Sequence, residues 1–298
     1  MNQQSQSIST RAAVQERSQL YIELTKPRIT LMVMLTVAIG FALAPAAGGM
    51  ALVHVLVGAM LSCSGAGALN QFFERDTDAA MARTRFRPLP AHRVSPIAAL
   101  AVGLSLAVGG LAYLVATTNV ATAAVDALTL LTYLALYTPL KRATSISTLV
   151  GAVPGALPPV MGWAAATGTI GSGAIALFAV MFLWQIPHFL AIGRMYRDDY
   201  AAGGFPMLSV VDGSGRITAR QMVLYSLALI PVSLAPTMIE LSGALYFWSA
   251  LLLGVAYLGA SLRAAVDGGT RSARTLLLTS VLYLPLLFAA LFVDRFAA

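Results

Sequence analysis

Cysteine occurs once in the chain, as Cys63, which excludes an intramolecular disulfide and a multi-cysteine metal site. Cys63 lies in an apolar stretch and reads as a small packing residue. Charge is scarce as well: Asp, Glu, Lys and Arg together make 10% of the residues. Residues 1–18 lack the apolar core of a signal peptide, so they are expected to form a short, flexible, uncleaved cytoplasmic tail. No basic domain stands apart from the apolar runs, so the net charge of +7 is no argument for nucleic acid. The apolar runs show no period-2 alternation, which excludes the strand pattern of a membrane barrel.

What the chain has in excess is apolar residues, 58% of the total, with a mean hydropathy of +0.78. Those values place it in the membrane class. Windows of about twenty apolar residues fall at about 27–46, 50–72, 96–116, 118–138, 146–166, 171–193, 219–239, 243–262 and 274–293. They predict an all-α integral membrane protein of nine transmembrane helices. Residues 19–298 then form one transmembrane domain rather than the two soluble domains their number would suggest.

The few bases fix an expected orientation. Counting the loops between windows, 18 of the 19 Lys and Arg residues fall on one side, and only Arg295 on the other. The positive-inside rule makes the basic side cytoplasmic, with the N-terminus in and the C-terminus out. A bacterial inner membrane is the expected location.

The acids carry more information than the bases, because topology does not require them. The 2/3 loop opens with "NQFFERDTDAAMARTRFRPLP", Asn70 to Pro90, and the 6/7 loop holds "HFLAIGRMYRDDYAAGGFPML", His188 to Leu208. If helix 2 continues past its apolar window, Asn70, Glu74 and Asp78 stand at i, i+4 and i+8 on one stripe. Three oxygen-bearing side chains on one stripe suit a hard cation such as Mg²⁺. Asp198 and Asp199 offer a second acid pair, so Glu74, Asp78, Asp198 and Asp199 are the candidate metal ligands. Acid clusters facing each other would suit metal ions bridging a diphosphate. Lys26, Arg28, Arg83, Arg87, Lys141, Arg142 and Arg197 are the candidate phosphate contacts. The alternative reading is a set of solvated loop charges, with the arginines set against anionic lipid.

His188 closes "WQIPH" at the end of helix 6. An ionisable side chain at membrane depth is a functional candidate, as a ligand or as a group that orients a substrate. A hydrogen-bonded structural histidine is the alternative. Asp126, in the middle of helix 4, is expected to face the interior. Pro154, Pro158 and Pro159 interrupt helix 5, either as kinks or as a cavity wall. Phe72, Tyr133, Tyr137, Trp163, Trp184 and Tyr196 could shield a cation with their ring faces, or simply pack.

The stretches "LTKPRIT", "NQFFERDTDAAMARTRFRP", "YTPLKRAT" and "WQIPHFLAIGRMYRDDYAAGGFPML" occur in the order found in UbiA-type intramembrane prenyltransferases, which the chain resembles from Lys26 to helix 9. "MARTRFRP" and "WQIPHF…DDY" resemble its haem-modifying branch. The resemblance implies nine helices around a central cavity that opens sideways to lipid, and Mg²⁺-dependent transfer from farnesyl diphosphate to haem B. It implies that Asn70, Glu74 and Asp78 form the first metal–diphosphate motif. Lys141 and Arg142 would be the diphosphate-binding basic pair, and Asp198 and Asp199 the place of the second acidic motif. Glu74 stands where Asp is commoner, and the second loop has "YRDDY" in place of a D-x-x-x-D. Haem A synthase is a candidate partner downstream. Two readings stand beside this one: a prenyltransferase acting on another aromatic acceptor, and a transporter with intramembrane acids and a broken helix.

Overall fold

The computed structural model of the protein describes residues 18–45 and 48–297. The expected tail lies outside them except for Ser18, which opens helix α1 (Ser18–Leu24). Every apolar window is a helix. These are α2 (Pro27–Leu43), α3 (Gly49–Ala80), α4 (Pro96–Thr117), α5 (Val120–Leu131) continued by α6 (Thr138–Ala143), α7 (Ser147–Ala156) with α8 (Pro158–Thr167), and α9 (Ser172–Met195). After the short α10 (Arg197–Ala202) and α11 (Leu208–Val211) come α12 (Arg216–Ser233), α13 (Ala235–Met238), α14 (Ala244–Asp267) and α15 (Thr270–Ala297). Among the described residues, eight helices are long and apolar enough to span a membrane. The α1–α2 pair, bent by 51°, makes the ninth.

Local chemistry sets the ends. Ser95 caps α4 by accepting from the Ala98 N–H, with Pro96 in the first turn, where its missing N–H costs nothing. Asn119 caps α5 in the same way through the Thr122 N–H. Gly168 ends α8 in the left-handed conformation that favours glycine. The expected break of helix 5 falls at Leu157, between Pro154 and the Pro158–Pro159 pair. One irregularity was not foreseen: residues Thr132–Tyr137 form a π-helical segment between α5 and α6. Pro139 lies just beyond it, and a proline ring cannot sit under an α-helical carbonyl four residues back. The wider turn removes that clash, and the Thr138 N–H reaches the Tyr133 carbonyl instead.

The helices pack as two groups. α2, α3, α4, α5 and α8 form one, and α9, α12, α14 and α15 the other, with α7 bridging to α9. Small residues set the closest approach. A Cβ on Gly162 would stand 1.9 Å from the Val37 carbonyl oxygen, and one on Gly40 would stand 2.0 Å from that of Pro159, so α2 and α8 touch backbone to backbone. Gly162→Ala is therefore expected to cost about 3 kcal/mol, at the upper end for overpacking. Gly109→Ala, with nothing within 4 Å of its Cβ, should cost nothing. Apparent melting temperatures in detergent check both; equal values would show that the α2–α8 contact relaxes freely.

The loops after α3 and α9 meet at one end of the bundle. Met81 from the first buries itself against Tyr200, Phe205 and Met207 of the second. Two polar segments far apart in sequence thus form a single roof.

Candidate active site

α3 runs unbroken to Ala80, well past its apolar window, so Asn70, Glu74 and Asp78 do form one stripe. All three are buried, Asp78 completely. A buried carboxylate is costly unless a cation and hydrogen bonds accompany it, and each member of the stripe has its own cation. The Lys26 ammonium donates to Asn70 Oδ1 at 2.5 Å. The Lys141 ammonium lies 3.1 Å from both oxygens of Glu74. The Arg87 guanidinium donates to Asp78 Oδ2 at 2.7 Å. The second Asp78 oxygen, Oδ1, is buried with no hydrogen-bond partner.

These side chains line a cavity of about 160 Å³, with Arg83, Met81, Tyr133 and Tyr137 completing the wall. Four cations face two carboxylates there, so the cavity carries a surplus of positive charge suited to a polyanion. Arg83 sits at its edge, 5.3 Å from the Tyr196 ring and 5.9 Å from that of Tyr200. Tyr133 and Tyr137 stack at 5.6 Å on the π-helical segment, and Lys141 Nζ lies 4.4 Å over the Phe205 ring. Lys26 is aimed inward by a left-handed backbone, φ 50°, at the bend between α1 and α2. That conformation costs a lysine about 1 kcal/mol, and such strain concentrates at functional sites.

The other expected residues lie elsewhere. Arg28 is exposed on the first turn of α2, outside this cavity. Arg142 is bonded to the Phe73 carbonyl, which ties α6 to α3. Arg197 lines a second cavity of about 470 Å³ with Arg194, Arg216 and Asp212, at the ends of α9, α12 and α14. Arg194 is held there by the carbonyls of Ala264 and Gly215. Desolvation acts to raise the Asp212 carboxyl, but hydrogen bonds from Thr218, Ser214 and the Ile217 N–H outweigh it and hold the group below the usual carboxylate range. Asp198 is exposed and Asp199 partly so, and neither lines the first cavity. Among the described residues, no three His, Cys, Asp or Glu side chains converge as a metal cage.

His188 lies within the span of α9, its Nδ1 2.7 Å from the Ser280 hydroxyl of α15 and its ring stacked on Trp184 at 5.1 Å. Asp126 faces the interior and accepts from the Ser62 hydroxyl at 2.8 Å. The roof residues Tyr200 and Phe205 were not among the sequence candidates; "GGFPM" after the second acid pair was the available signal.

A buried carboxylate oxygen without a donor, beside an amide oxygen and a second carboxylate, is the donor set that a hard divalent cation takes. The stripe therefore fits Mg²⁺, provided that the lysine and arginine partners can turn to another anion.

The helical bundle thus carries a cation-rich pocket over a buried acidic stripe. Residues 33–284 match the model of the UbiA prenyltransferase family, and the chain belongs to that family. Among its relatives is the protoheme IX farnesyltransferase of Solibacter usitatus (strain Ellin6076), 47% identical and covering 92% of this chain and 98% of the relative. That of Myxococcus xanthus (strain DK1622) is 45% identical, over 92% and 94%. A solved digeranylgeranylglyceryl phosphate synthase covers 95% of this chain and 100% of its own, with a TM-score of 0.81 and 14% identity. A UbiA homolog from Archaeoglobus fulgidus, bound to GPP and Mg²⁺, covers 91% and 99%, with a TM-score of 0.65 and 16% identity. At such identities the likeness of the two structures shows the fold alone.

Proposed function

We propose that the protein transfers the farnesyl group of farnesyl diphosphate to a vinyl group of haem B, giving haem O and diphosphate. Protoheme IX farnesyltransferase is the name of its 38–47% identical relatives, which cover most of the chain. The observation that carries the chemistry is the buried Asn70–Glu74–Asp78 stripe with the unpartnered Asp78 Oδ1, under a cavity richer in cations than in acids.

Asn70, Glu74 and Asp78 would hold Mg²⁺. The ion supplies positive charge to the diphosphate oxygens as they become more negative. Lys141, Lys26 and Arg87, which neutralise the stripe before substrate arrives, turn toward the phosphates. The allylic C–O bond breaks with its electron pair going to the diphosphate, and these fixed cations stabilise that charge. Tyr133, Tyr137 and Phe205 present ring faces toward the allylic cation and keep bulk water from it. The vinyl π-pair of haem B then forms the new C–C bond. Water adds to the resulting cation and loses a proton, leaving the hydroxyl group of haem O.

His188 belongs to the acceptor side of this reaction. The two diphosphate-facing loops lie at the basic end, so the active site opens toward the cytoplasm of a bacterial inner membrane. The product is a substrate for a haem-oxidising membrane enzyme of the haem A synthase kind.

Purified protein given haem B, farnesyl diphosphate and Mg²⁺ should yield a haem O peak by mass that EDTA abolishes. A folded sample that yields no such peak would refute haem B as the acceptor, and a peak resistant to EDTA would refute the metal.

A further inference from the structure

The His188–Ser280 contact fixes more than a distance. Ser280 Oγ lies 2.6 Å from the Leu277 carbonyl oxygen and 2.7 Å from His188 Nδ1. Two oxygens at 2.6 Å repel unless a proton lies between them, and a hydroxyl has only one proton to give. That proton goes to Leu277. Ser280 Oγ must then accept from His188, so Nδ1 carries the ring hydrogen. In a neutral ring the other nitrogen, Nε2, is left with a lone pair, and it makes no hydrogen bond within the described residues.

The surroundings hold this arrangement rigid. The Trp184 indole N–H donates to the Ser280 carbonyl at 2.8 Å, and the Tyr257 hydroxyl donates to the Trp184 carbonyl at 2.9 Å. Trp184 and Phe189 flank the imidazole. Both helices carry an internal proline nearby, Pro187 beside His188 and Pro285 one turn beyond Ser280. Gln185, three residues before His188, bonds to the Ala152 carbonyl of α7. His188 thus lies between the α7-facing and α15-facing sides of α9.

We propose that Ser280 is a positioning residue for the acceptor: it holds His188 as the Nδ1–H tautomer and so presents the Nε2 lone pair to the iron of haem B. This inference rests on haem B being the acceptor. A lone pair on a fixed ring is what haem iron takes as an axial ligand, and the partner of the other nitrogen sets which nitrogen is free. Binding the iron at one point also sets the plane of the macrocycle, and with it the height of the vinyl group above the allylic carbon.

The test begins with the tautomer. The chain has three histidines, so ¹⁵N-histidine NMR of the full protein, with His188→Ala for assignment, reads His188 directly. A hydrogen on Nδ1 is expected; one on Nε2 alone overturns the proposal without any Ser280 variant. Haem B titrated into the protein should give an imidazole-ligated absorption spectrum that His188→Ala loses and added imidazole restores. Ser280→Ala should weaken haem binding about tenfold, the scale for a residue that orients a metal ligand. Ser280→Thr, which keeps the hydroxyl, should restore it, and farnesyl diphosphate affinity should stay unchanged in both, showing that the fold is intact. Equal haem affinity and an equal spectrum in Ser280→Ala would overturn the proposal. So would wild-type haem binding with no imidazole signature, and farnesyl transfer would then still stand. A wild type that binds no haem and forms no haem O would instead overturn the reading of the acceptor.

Discussion

Asp78→Asn is expected to lower kcat about a thousandfold while leaving the bundle folded. The side chain keeps its shape and loses one negative charge, at the position where a buried oxygen already lacks a partner. With that charge gone, the stripe has Glu74 as its remaining carboxylate, too little to hold a hard dication against four nearby lysine and arginine groups. Loss of one preorganised electrostatic contact in a closed site costs a factor of about 10²–10³, and a metal ligand belongs at the upper end. Stability should change little, because the Arg87 side chain is 27% exposed and can turn to water. Measured without Mg²⁺, the binding of farnesyl diphosphate should not weaken, since Arg87 is released toward it. Single-turnover rates with Mg²⁺ titrated to high concentration check this. A near-normal rate at ordinary Mg²⁺ would remove Asp78 from the metal site.

The stripe was legible because a helix period places i, i+4 and i+8 together whatever surrounds them, and α3 obeys it. The end of α3 was not legible from hydropathy. Its last turns are polar, and what buries them is a set of cations from other segments. Which cations would turn inward was also hidden. Lys26 and Arg28 are two residues apart, and the left-handed turn at Lys26 sends that side chain alone into the cavity. Lys141 and Arg142 are neighbours, and one meets Glu74 while the other meets the Phe73 carbonyl. The π-helical segment before them adds a residue to one turn and rotates everything after it by about 100°. No α-helical phase carried through from α5 would have placed Lys141 correctly. "WQIPH" marked His188, but the group that sets its tautomer lies 92 residues away on another helix. Such pairings belong to packing, and a single sequence holds no periodic trace of them.

The resting ion pairs also say how the cavity tolerates being without substrate. Two buried carboxylates and a surplus of cations can neither stand alone in a closed cavity nor be solvated well. Pairing them across α3, α6 and the bend before α2 satisfies most of the charge and leaves the lysine and arginine heads able to exchange partners. In the proposed mechanism diphosphate would offer those heads a stronger partner and so free the acids for metal. Substrate and metal should accordingly assist each other's binding, as two ligands that each release what the other needs.

Lys141→Met is expected to remove both halves of that arrangement. The Glu74 side chain is 3% exposed and Lys141 is its ion-pair partner, so the variant leaves a buried carboxylate without its cation. Breaking such a pair from one side costs about 3 kcal/mol. The double variant Lys141→Met with Glu74→Gln removes both charges, and stability should return to within about 1 kcal/mol of the parent, since a pair replaced by uncharged groups of similar volume is often neutral. Activity should not return. In the proposed mechanism Lys141 is also needed on the diphosphate, and Glu74 on the metal, so both single variants and the double should lie at least a hundredfold below the parent in kcat/KM. Thermal midpoints and steady-state rates on the four proteins form one cycle with two readouts. Recovery of stability without recovery of rate is the expected pattern. If the double variant regained rate along with stability, Lys141 and Glu74 would be a structural pair, and the phosphate contacts would have to be sought among Lys26, Arg83 and Arg87.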